Sequence, residues 1–363
     1  MKIVFVNFAS EWGGGEGWTQ RTACGLEEKG HGVYIIGRKN TPFPAKCRES
    51  GLKVSEMDIS FDYNPKTVFR LRSLFKAHSV DVVVVHHNKD VRLAGVAARL
   101  SGIPVLHRNG FPVIHDNIRH LFTSLFINRI ITNSRRIKDH YRTFSWLKSK
   151  PVDVVPNGIK LLPTTIPDRN QFWDNNQSVI DAKRDLIALY SGRLTKVKQV
   201  DILLKAISQI ADFTRWKLAI LGDGSEKETL TKMVNELSLN DHVVFLGFRR
   251  DSAELTAFAD LVVLPSKDEG MPNSLMEAMS HKTAVAASPA GDVEYLLDDG
   301  NAGWVLHNNT PNEWKELLQK LEKEPNLLKE MGKRGFERIV ADFSFEKMIT
   351  GVEESLHKTT RTP

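Results

Sequence analysis

Apolar positions along the chain fall into two alternating patterns, short continuous runs and longer stretches with helical spacing. The continuous runs are Lys2 to Phe8, Val33 to Gly37, Asp81 to His86, Ile103 to His107 and Val152 to Val155, then Asp185 to Tyr190, Trp216 to Gly224, Val243 to Phe248, Leu261 to Leu264 and Thr283 to Ala287. Runs of this length without polar alternation predict strands buried on both faces, as parallel sheets require. Between them the spacing turns helical through Leu26 to Lys29, Leu93 to Leu100 and Ile202 to Ile210. From residue 312 to 357 it is helical with breaks near Pro325 and Phe343. The alternation appears in both halves of the chain, so the fold class is α/β with two doubly wound domains. Pro156-Asn-Gly-Ile159 marks the boundary, giving domains of residues 1–158 and 159–342, and Leu161 to Ala182 reads as a linker.

In such sheets ligands gather outside the carboxyl ends of strands, so the residues just after each run carry the chemistry. One stretch stands out, Ala259 to Met279. Its strand is stopped by Pro265, an acidic loop with Gly270 and Pro272 follows, and helical spacing begins at Asn273. Asn273, Ser274 and Leu275 open that helix, so their backbone N–H groups point back at the loop and suit a phosphate. Glu269 and Glu277, eight positions apart, face one crevice. Near the amino terminus Trp12-Gly-Gly-Gly-Glu-Gly17 joins a strand to a helix, with Gly14 and Gly15 letting backbone approach a ligand. The glycine order does not match the dinucleotide fingerprint G-x-G-x-x-G, which argues against a nicotinamide cofactor. His86, His87 and His107 stand at strand ends, with His107 followed by Arg108-Asn-Gly110.

Charge sharpens this picture. Through residue 170 there are 26 Lys and Arg against 14 Asp and Glu, a net +12, and beyond it 24 against 30, a net −6. The basic half calls for an anionic partner: nucleic acid, an acidic membrane surface or a phosphorylated acceptor. Between Asn117 and Lys150, Arg119, Arg129, Arg135, Arg136, Lys138, Arg142, Lys148 and Lys150 meet only Asp139 and are interleaved with Phe122, Phe126, Tyr141, Phe144 and Trp146. This mixture, centred on a helix from Arg135 to Phe144, suits the surface of an anionic bilayer, or equally a solvated helix whose aromatics sit in the core. No nucleic-acid module accompanies it, so no nucleic-acid partner is expected. Cys24 and Cys47 support neither a disulfide framework nor a zinc site. No apolar run approaches the roughly 20 residues of a membrane span, and Met1 to Val6 is too short and strand-like for a signal peptide, which predicts a cytoplasmic protein.

The glycine loop, the strand-end His107, Pro156-Asn-Gly-Ile, Ser191-Gly-Arg-Leu-Thr-Lys-Val-Lys198, the turn at Gly222 and Gly224, and Glu269-Gly-Met-Pro-Asn-Ser-Leu-Met-Glu277 occur in an order that resembles the retaining family-4 glycosyltransferases of the GT-B fold. The resemblance covers nearly the whole chain. It implies two Rossmann-like domains facing across a cleft, with the last helix, about residues 343–363, crossing back onto the first. It implies a nucleoside-diphosphate sugar as co-substrate, no separate cofactor and no metal. The absence of any D-x-D triplet accords with that. Carried over by position, Arg193 and Lys198 hold the diphosphate, Glu277 the ribose, Gly270 and Asn273 to Leu275 the phosphate or sugar, and Glu269 a sugar hydroxyl. Phe248 lies where the base sits, Gly14 and Gly15 approach the donor, and His107 contacts the sugar near the reacting carbon. Two positions depart from the pattern: Lys160 replaces an acid after Pro-Asn-Gly-Ile, and Gln199 replaces the glycine after Lys198.

The expectation is therefore a retaining, metal-independent transfer of a sugar to a hydroxyl of a glycan or lipid-linked anionic acceptor in cell-envelope or lipopolysaccharide synthesis. The leaving diphosphate itself assists deprotonation of the acceptor. A sugar-nucleotide epimerase on the same architecture and a non-catalytic donor-binding subunit are the alternatives.

Overall fold

The computed structural model describes residues 1–59, 61, 64–110, 118–161, 169, 173, 179–211, 214–249 and 251–361. The chain divides into two compact units, residues 1–158 with 345–363, and residues 159–344. The first carries β1 (Lys2–Asn7), β2 (Gly32–Arg38), β3 (Lys53–Met57), β4 (Val82–Val85), β5 (Val105–Arg108), β6 (Arg129–Thr132) and β7 (Val152–Val154). These form one parallel sheet in the order β3-β2-β1-β4-β5-β6-β7. The second carries β8 (Leu186–Ser191), β9 (Trp216–Leu221), β10 (Val243–Gly247), β11 (Leu261–Leu264), β12 (Ala284–Ala287) and β13 (Trp304–Val305). They too are parallel, in the order β10-β9-β8-β11-β12-β13.

The period of two along a strand explains why the runs are continuously apolar. In the first unit Val4, Val6, Val83 and Val85 face one layer of helices, while Ile3, Phe5, Val82 and Val84 face the other. The first layer packs Val68, Leu71 and Phe75 of helix Pro65–Ala77 and Ile137 and Tyr141 of helix Arg135–Arg142. The second packs Trp18, Ala23 and Leu26 of helix Gly14–Glu28 with Phe345, Met348, Ile349, Val352 and Leu356 of the C-terminal helix Phe345–Arg361. The two helices of that second layer touch at Gly25, where a Cβ would stand 2.7 Å from Ile349 Cδ1 and 3.0 Å from Phe345 Cε1. Lys29 and His31 then pair with Glu353, at 2.7 and 2.9 Å.

In each sheet the chain lays down two further strands outward from one side of the first strand and the remaining strands from its other side. The order therefore reverses between β1 and β4 and again between β8 and β11. Connections leave these pairs in opposite directions, opening a crevice at their carboxyl ends.

Three expectations need adjustment. The segment between Asn117 and Lys150 contains an interior strand, β6, where two isoleucines between Arg129 and Thr132 pair on both sides with β5 and β7. The helical stretch after β4 is broken into Asn88–Asp90, a π-helical turn Val91–Gly95 and Val96–Arg99. Much of the expected linker, 162–168, 170–172 and 174–178, lies outside the described residues, but the described part belongs to the second unit. Trp173 is fully buried there, its Nε1 donates to the Phe258 carbonyl, and Arg169 forks onto Asp260 at 3.0 and 2.6 Å. An indole with a satisfied N–H is a core side chain rather than a tether.

Gly25→Val is expected to cost about 2 kcal/mol in chemical denaturation, because the added methyls overpack a helix contact that has no room for one carbon. It should also expose the C-terminal helix to limited proteolysis.

Candidate functional site

In the second unit the reversal between β8 and β11 gathers most of the residues singled out in the sequence. After β8 the chain runs through Gly192, Arg193 and Leu194 into a 3-10 turn, Lys196–Lys198, before helix Val200–Ser208. After β11 it runs through Glu269 and Gly270 into helix Asn273–Ser280. The loops meet: Lys198 Nζ lies 2.5 Å from Glu269 Oε1, and both side chains are largely shielded, at 21% and 12% exposed. Lys196 is exposed, so of the two lysines it is Lys198 that reaches the carboxylate. Arg193 is exposed at the mouth of the same loop.

Asn273, Ser274 and Glu277 are half-buried on the first two turns of a helix that begins at Pro272 without a side-chain cap. Leu275 is fully buried, so only its backbone is available to a ligand. Phe248, 83% exposed, follows β10 on the β9 side of the sheet.

Several contacts that fix these loops were not evident in the sequence. Tyr190 is buried in β8 and its hydroxyl donates to the Arg193 carbonyl at 2.9 Å. Gly222, at φ +138, brings its turn against the arginine loop, where a Cβ would lie 1.9 Å from the Gly192 carbonyl oxygen. On the opposite side Gly291, at φ +64, lies under the acidic loop, where a Cβ would meet the Glu269 carbonyl oxygen at 2.1 Å. Asp292 N–H donates to the Gly270 carbonyl next to it at 3.0 Å.

Asn309 laces the two sides together. Its Nδ2 donates to the Pro265 carbonyl at 2.8 Å and to Gln199 Oε1 at 3.3 Å, while its Oδ1 accepts from Trp314 Nε1 at 2.9 Å. Lys267 N–H adds a bond to the Val197 carbonyl at 2.8 Å. The only advance sign of Asn309 was its place just before the Thr-Pro start of helix Pro311–Lys323.

In the first unit the β1/β4 reversal holds a denser polar cluster. Gly14 and Gly15 begin helix Gly14–Glu28, and Gly15 lies so close to His86 that a Cβ would fall 2.1 Å from its Nε2. Glu16 is buried and accepts from Asn7 Nδ2 at 3.1 Å, with His87 Nε2 also 3.1 Å away. Burial alone would raise the Glu16 carboxyl, but the bonds from His87 and Asn7 outweigh it and hold it below its ordinary value. Burial likewise opposes protonation of His87, yet the hydrogen bond to Glu16 and the charge of Asp90 lift its pKa. Asp90 is wholly buried and pushed up to about 6 by desolvation, although Phe8 N–H and His87 N–H both donate to it.

His107, 4% exposed, has its Nε2 3.2 Å from the His86 carbonyl. It borders a small pocket of about 30 Å³ whose polar wall includes Asn88, Asn109, Thr123 and Ser124 and whose apolar wall includes Tyr141 and Trp146. Arg108 is buried beside it with its guanidinium 4.8 Å above the Trp18 ring. Among the described residues, donor atoms of Glu16, His86 and His87 lie within 4.8 Å of one another, near enough to hold a metal. Burial and, after it, the Arg108 charge hold His86 well below its ordinary proton affinity, and the same positive charge opposes a divalent cation there.

The helix Arg135–Arg142 turns Ile137 and Tyr141 into the core, and Phe144 and Trp146 pack against it. The aromatics expected at a bilayer surface in that helix are therefore spent internally, leaving Arg135, Arg136 and Arg142 exposed.

Comparison with known proteins gives two family matches. The model described as Glycosyltransferase Family 4 matches residues 12–161, and that described as Glycosyl transferases group 1 matches residues 171–338. Over 339 residues the chain is 23% identical to the UDP-Gal:alpha-D-GlcNAc-diphosphoundecaprenol alpha-1,3-galactosyltransferase of Escherichia coli, covering 85% of this chain and 87% of that protein. Over 180 residues it is 27% identical to the N-acetyl-alpha-D-glucosaminyl L-malate synthase of Bacillus anthracis, covering 50% of this chain and only about half, 47%, of that relative. The structure of Anabaena HepE in complex with UDP superimposes with a TM-score of 0.86 at 18% identity, covering 99% of this chain and 100% of that one.

Two substitutions test how the loops are held. Gly291→Ala is expected to lose at least about 2 kcal/mol, because a left-handed residue is strained and its methyl would strike backbone. Gly300→Ala, at φ +99 in open space, should lose only about 1 kcal/mol. Asn309→Ala strands the Trp314 N–H and the Pro265 carbonyl and is expected to cost about 2 kcal/mol in urea unfolding.

Proposed function

Because the chain belongs to the family-4 glycosyltransferases of the GT-B fold, we propose that it transfers a sugar, with retention, from a nucleoside-diphosphate sugar to a hydroxyl of a glycan or lipid-linked acceptor in cell-envelope or lipopolysaccharide synthesis. The observation that carries this reading is the convergence of Arg193, Lys198, Glu269 and the start of helix Asn273–Ser280 at the β8/β11 reversal.

Breaking the bond from the anomeric carbon to the donor phosphate leaves a nucleoside diphosphate that gains negative charge. Fixed cations and helix N–H groups stabilise such a leaving group without a metal. Arg193 and Lys198 fill that role, with the backbone of Gly270 and Asn273 to Leu275 beside them. The acceptor oxygen bonds to the same face of the anomeric carbon, and its proton passes to a departing phosphate oxygen. Glu269 holds a sugar hydroxyl, Glu277 the ribose and Phe248 the base. In the structure Lys198 is paired with Glu269, so donor binding exchanges a carboxylate partner for a phosphate one.

The first unit takes the acceptor. It carries 27 Lys and Arg against 16 Asp and Glu, a net +11, while the second carries 23 against 28, a net −5. An anionic acceptor therefore favours the first unit, and the small pocket beside His107 offers polar and aromatic walls on that unit. Gly14, exposed at the helix start, leaves room there for a phosphate, whereas Gly15 is closed against His86. No helix among the described residues is long and apolar enough to cross a membrane. The reading places the protein in the cytoplasm, at the inner face of the membrane where lipid-linked acceptors are found.

The test is to incubate the protein with UDP-, GDP- and ADP-sugars, with and without membrane extract and with a chelator, following diphosphate release and glycan mass. Sugar transfer that requires the extract and survives chelation is the expected outcome. Release of diphosphate with no acceptor present would favour an epimerase-like or hydrolytic chemistry instead, and loss of transfer on chelation would overturn the metal-free part. Lys198→Ala should lower kcat about 100-fold, the loss of about 3 kcal/mol typical of a missing charge stabiliser in a transition state. Full turnover in that variant would remove Lys198 from the diphosphate site.

A further inference from the structure

The turn that walls the pocket beside His107 is built inside out. In helix Ile118–Ser124 and the residue after it, Thr123 and Ser124 are buried at 2% and 3% exposed, whereas Leu121, Phe122 and Leu125 stand out at 40%, 54% and 58%. Single exposed apolar residues are ordinary, and Phe69 at 63% is one such. Three within five positions, with the hydroxyl-bearing residues between them turned inward, reverse the usual arrangement and mark a surface that is covered during function.

The inward side is already used. Thr123 and Ser124 line the pocket with His107 and Asn109, and the Ser124 hydroxyl also donates to the Leu121 carbonyl at 2.7 Å. One turn thus offers polar groups to the pocket and apolar groups to the outside.

Charge selects what covers it. Immediately after this turn, Lys150 Nζ donates to the Ile127 carbonyl at 2.7 Å, which places a cation beside the stretch. Burial and the neighbouring charge of Arg99 lower the proton affinity of Lys150, so a second cation stands close by. Arg135, Arg136, Arg142 and Lys148 are exposed on the elements that follow, against Asp139 alone. An apolar stripe bordered by cations fits the boundary between anionic head groups and acyl chains, where apolar burial and charge attraction add.

We infer that Leu121, Phe122 and Leu125 insert into an anionic bilayer surface, seating the first unit so that the pocket beside His107 opens next to the plane where a lipid-linked acceptor lies. The inference deepens the acceptor reading given above. It moves the membrane contact from helix Arg135–Arg142, whose apolar side is in the core, to the preceding turn, and keeps that helix as a source of charge.

The test is flotation of the purified full chain with vesicles of phosphatidylcholine alone or of phosphatidylcholine mixed with phosphatidylglycerol. These contain neither donor nor acceptor, so the result stands whether or not transfer is detected. The wild-type chain is expected to float with the anionic vesicles, to lose that binding in high salt, and to stay at the bottom with neutral ones. Phe122→Ser with Leu125→Ser should weaken anionic binding at least about tenfold, while Phe69→Ser, equally exposed elsewhere, should leave it unchanged. Circular dichroism melting of each variant checks that the fold is retained. Equal flotation with both vesicle types, or undiminished binding by the double variant, would overturn the inference. Light scattering that reports a dimer converted to monomer by the same double variant would assign the stripe to a second copy instead.

Discussion

The constraint on which the structure depends is the reversal of strand order in each parallel sheet. A parallel sheet needs long crossovers, and when those leave adjacent strands in opposite directions nothing fills the space above their carboxyl ends. In the second unit that space brings Lys198 from the β8 side against Glu269 from the β11 side, although 71 residues separate them in the chain. Neither group is held by its own helix. Each sits on a loop whose path is set from below, by Gly222 under the arginine loop and Gly291 under the acidic one. Both supports work by having no side chain, so the site is shaped by backbone packed on backbone.

The two reversals are filled differently. In the second unit the polar groups are at a half-shielded rim, with Arg193 and the helix start open. In the first, Asn7, Glu16, His86, Asp90, His107 and Arg108 are all nearly inaccessible, with Asn7 donating to Glu16, the Phe8 N–H to Asp90, and His107 Nε2 3.2 Å from the His86 carbonyl. A buried network of this kind resists rearrangement, because each member that loses a partner is left charged or polar without water. It suits a fixed platform, and the outward chemistry of the first unit passes to the pocket next to it. His107, 4% exposed, borders that pocket.

The alternation of parallel strands with helices and the loop-to-helix turn after β11 were largely legible in the sequence because each rests on local pattern. Four valines in a row specify a doubly covered strand, and glutamates eight apart around a Gly-Met-Pro turn specify a loop entering a helix. What escaped was set by contacts between distant positions. β6 is four residues long and begins with Arg129, whose charge hides it until Asp153 of β7 is seen 3.1 Å away. Trp173 sits among prolines, asparagines and glutamines that read as a tether, yet its indole is in the core. Asn309 and Gly291 have no periodicity to betray them, since their importance lies in which backbone passes overhead. The inverted turn at residues 121–125 was counted among interleaved cations and aromatics, but only its burial pattern separates the inward hydroxyls from the outward apolar groups.

Gln199 joins these levels. The resemblance places glycine after the lysine, and the structure explains the preference, because this residue is left-handed at φ 49 and caps the helix that follows. A side chain there costs roughly 1 to 2 kcal/mol of backbone strain. In this chain the side chain is not idle: its Oε1 accepts from Asn309, which also grips the Pro265 carbonyl beneath the opposite loop. A neutral side-chain hydrogen bond returns roughly 0.5 to 1.5 kcal/mol, so strain and bond nearly cancel. What does not cancel is the geometric effect. Glycine would leave Lys198 on a hinge, whereas glutamine ties the lysine turn to the loop that carries Glu269. The departure from the family pattern therefore reads as stiffening of the site at little net cost in stability, not as decay of a donor-binding loop.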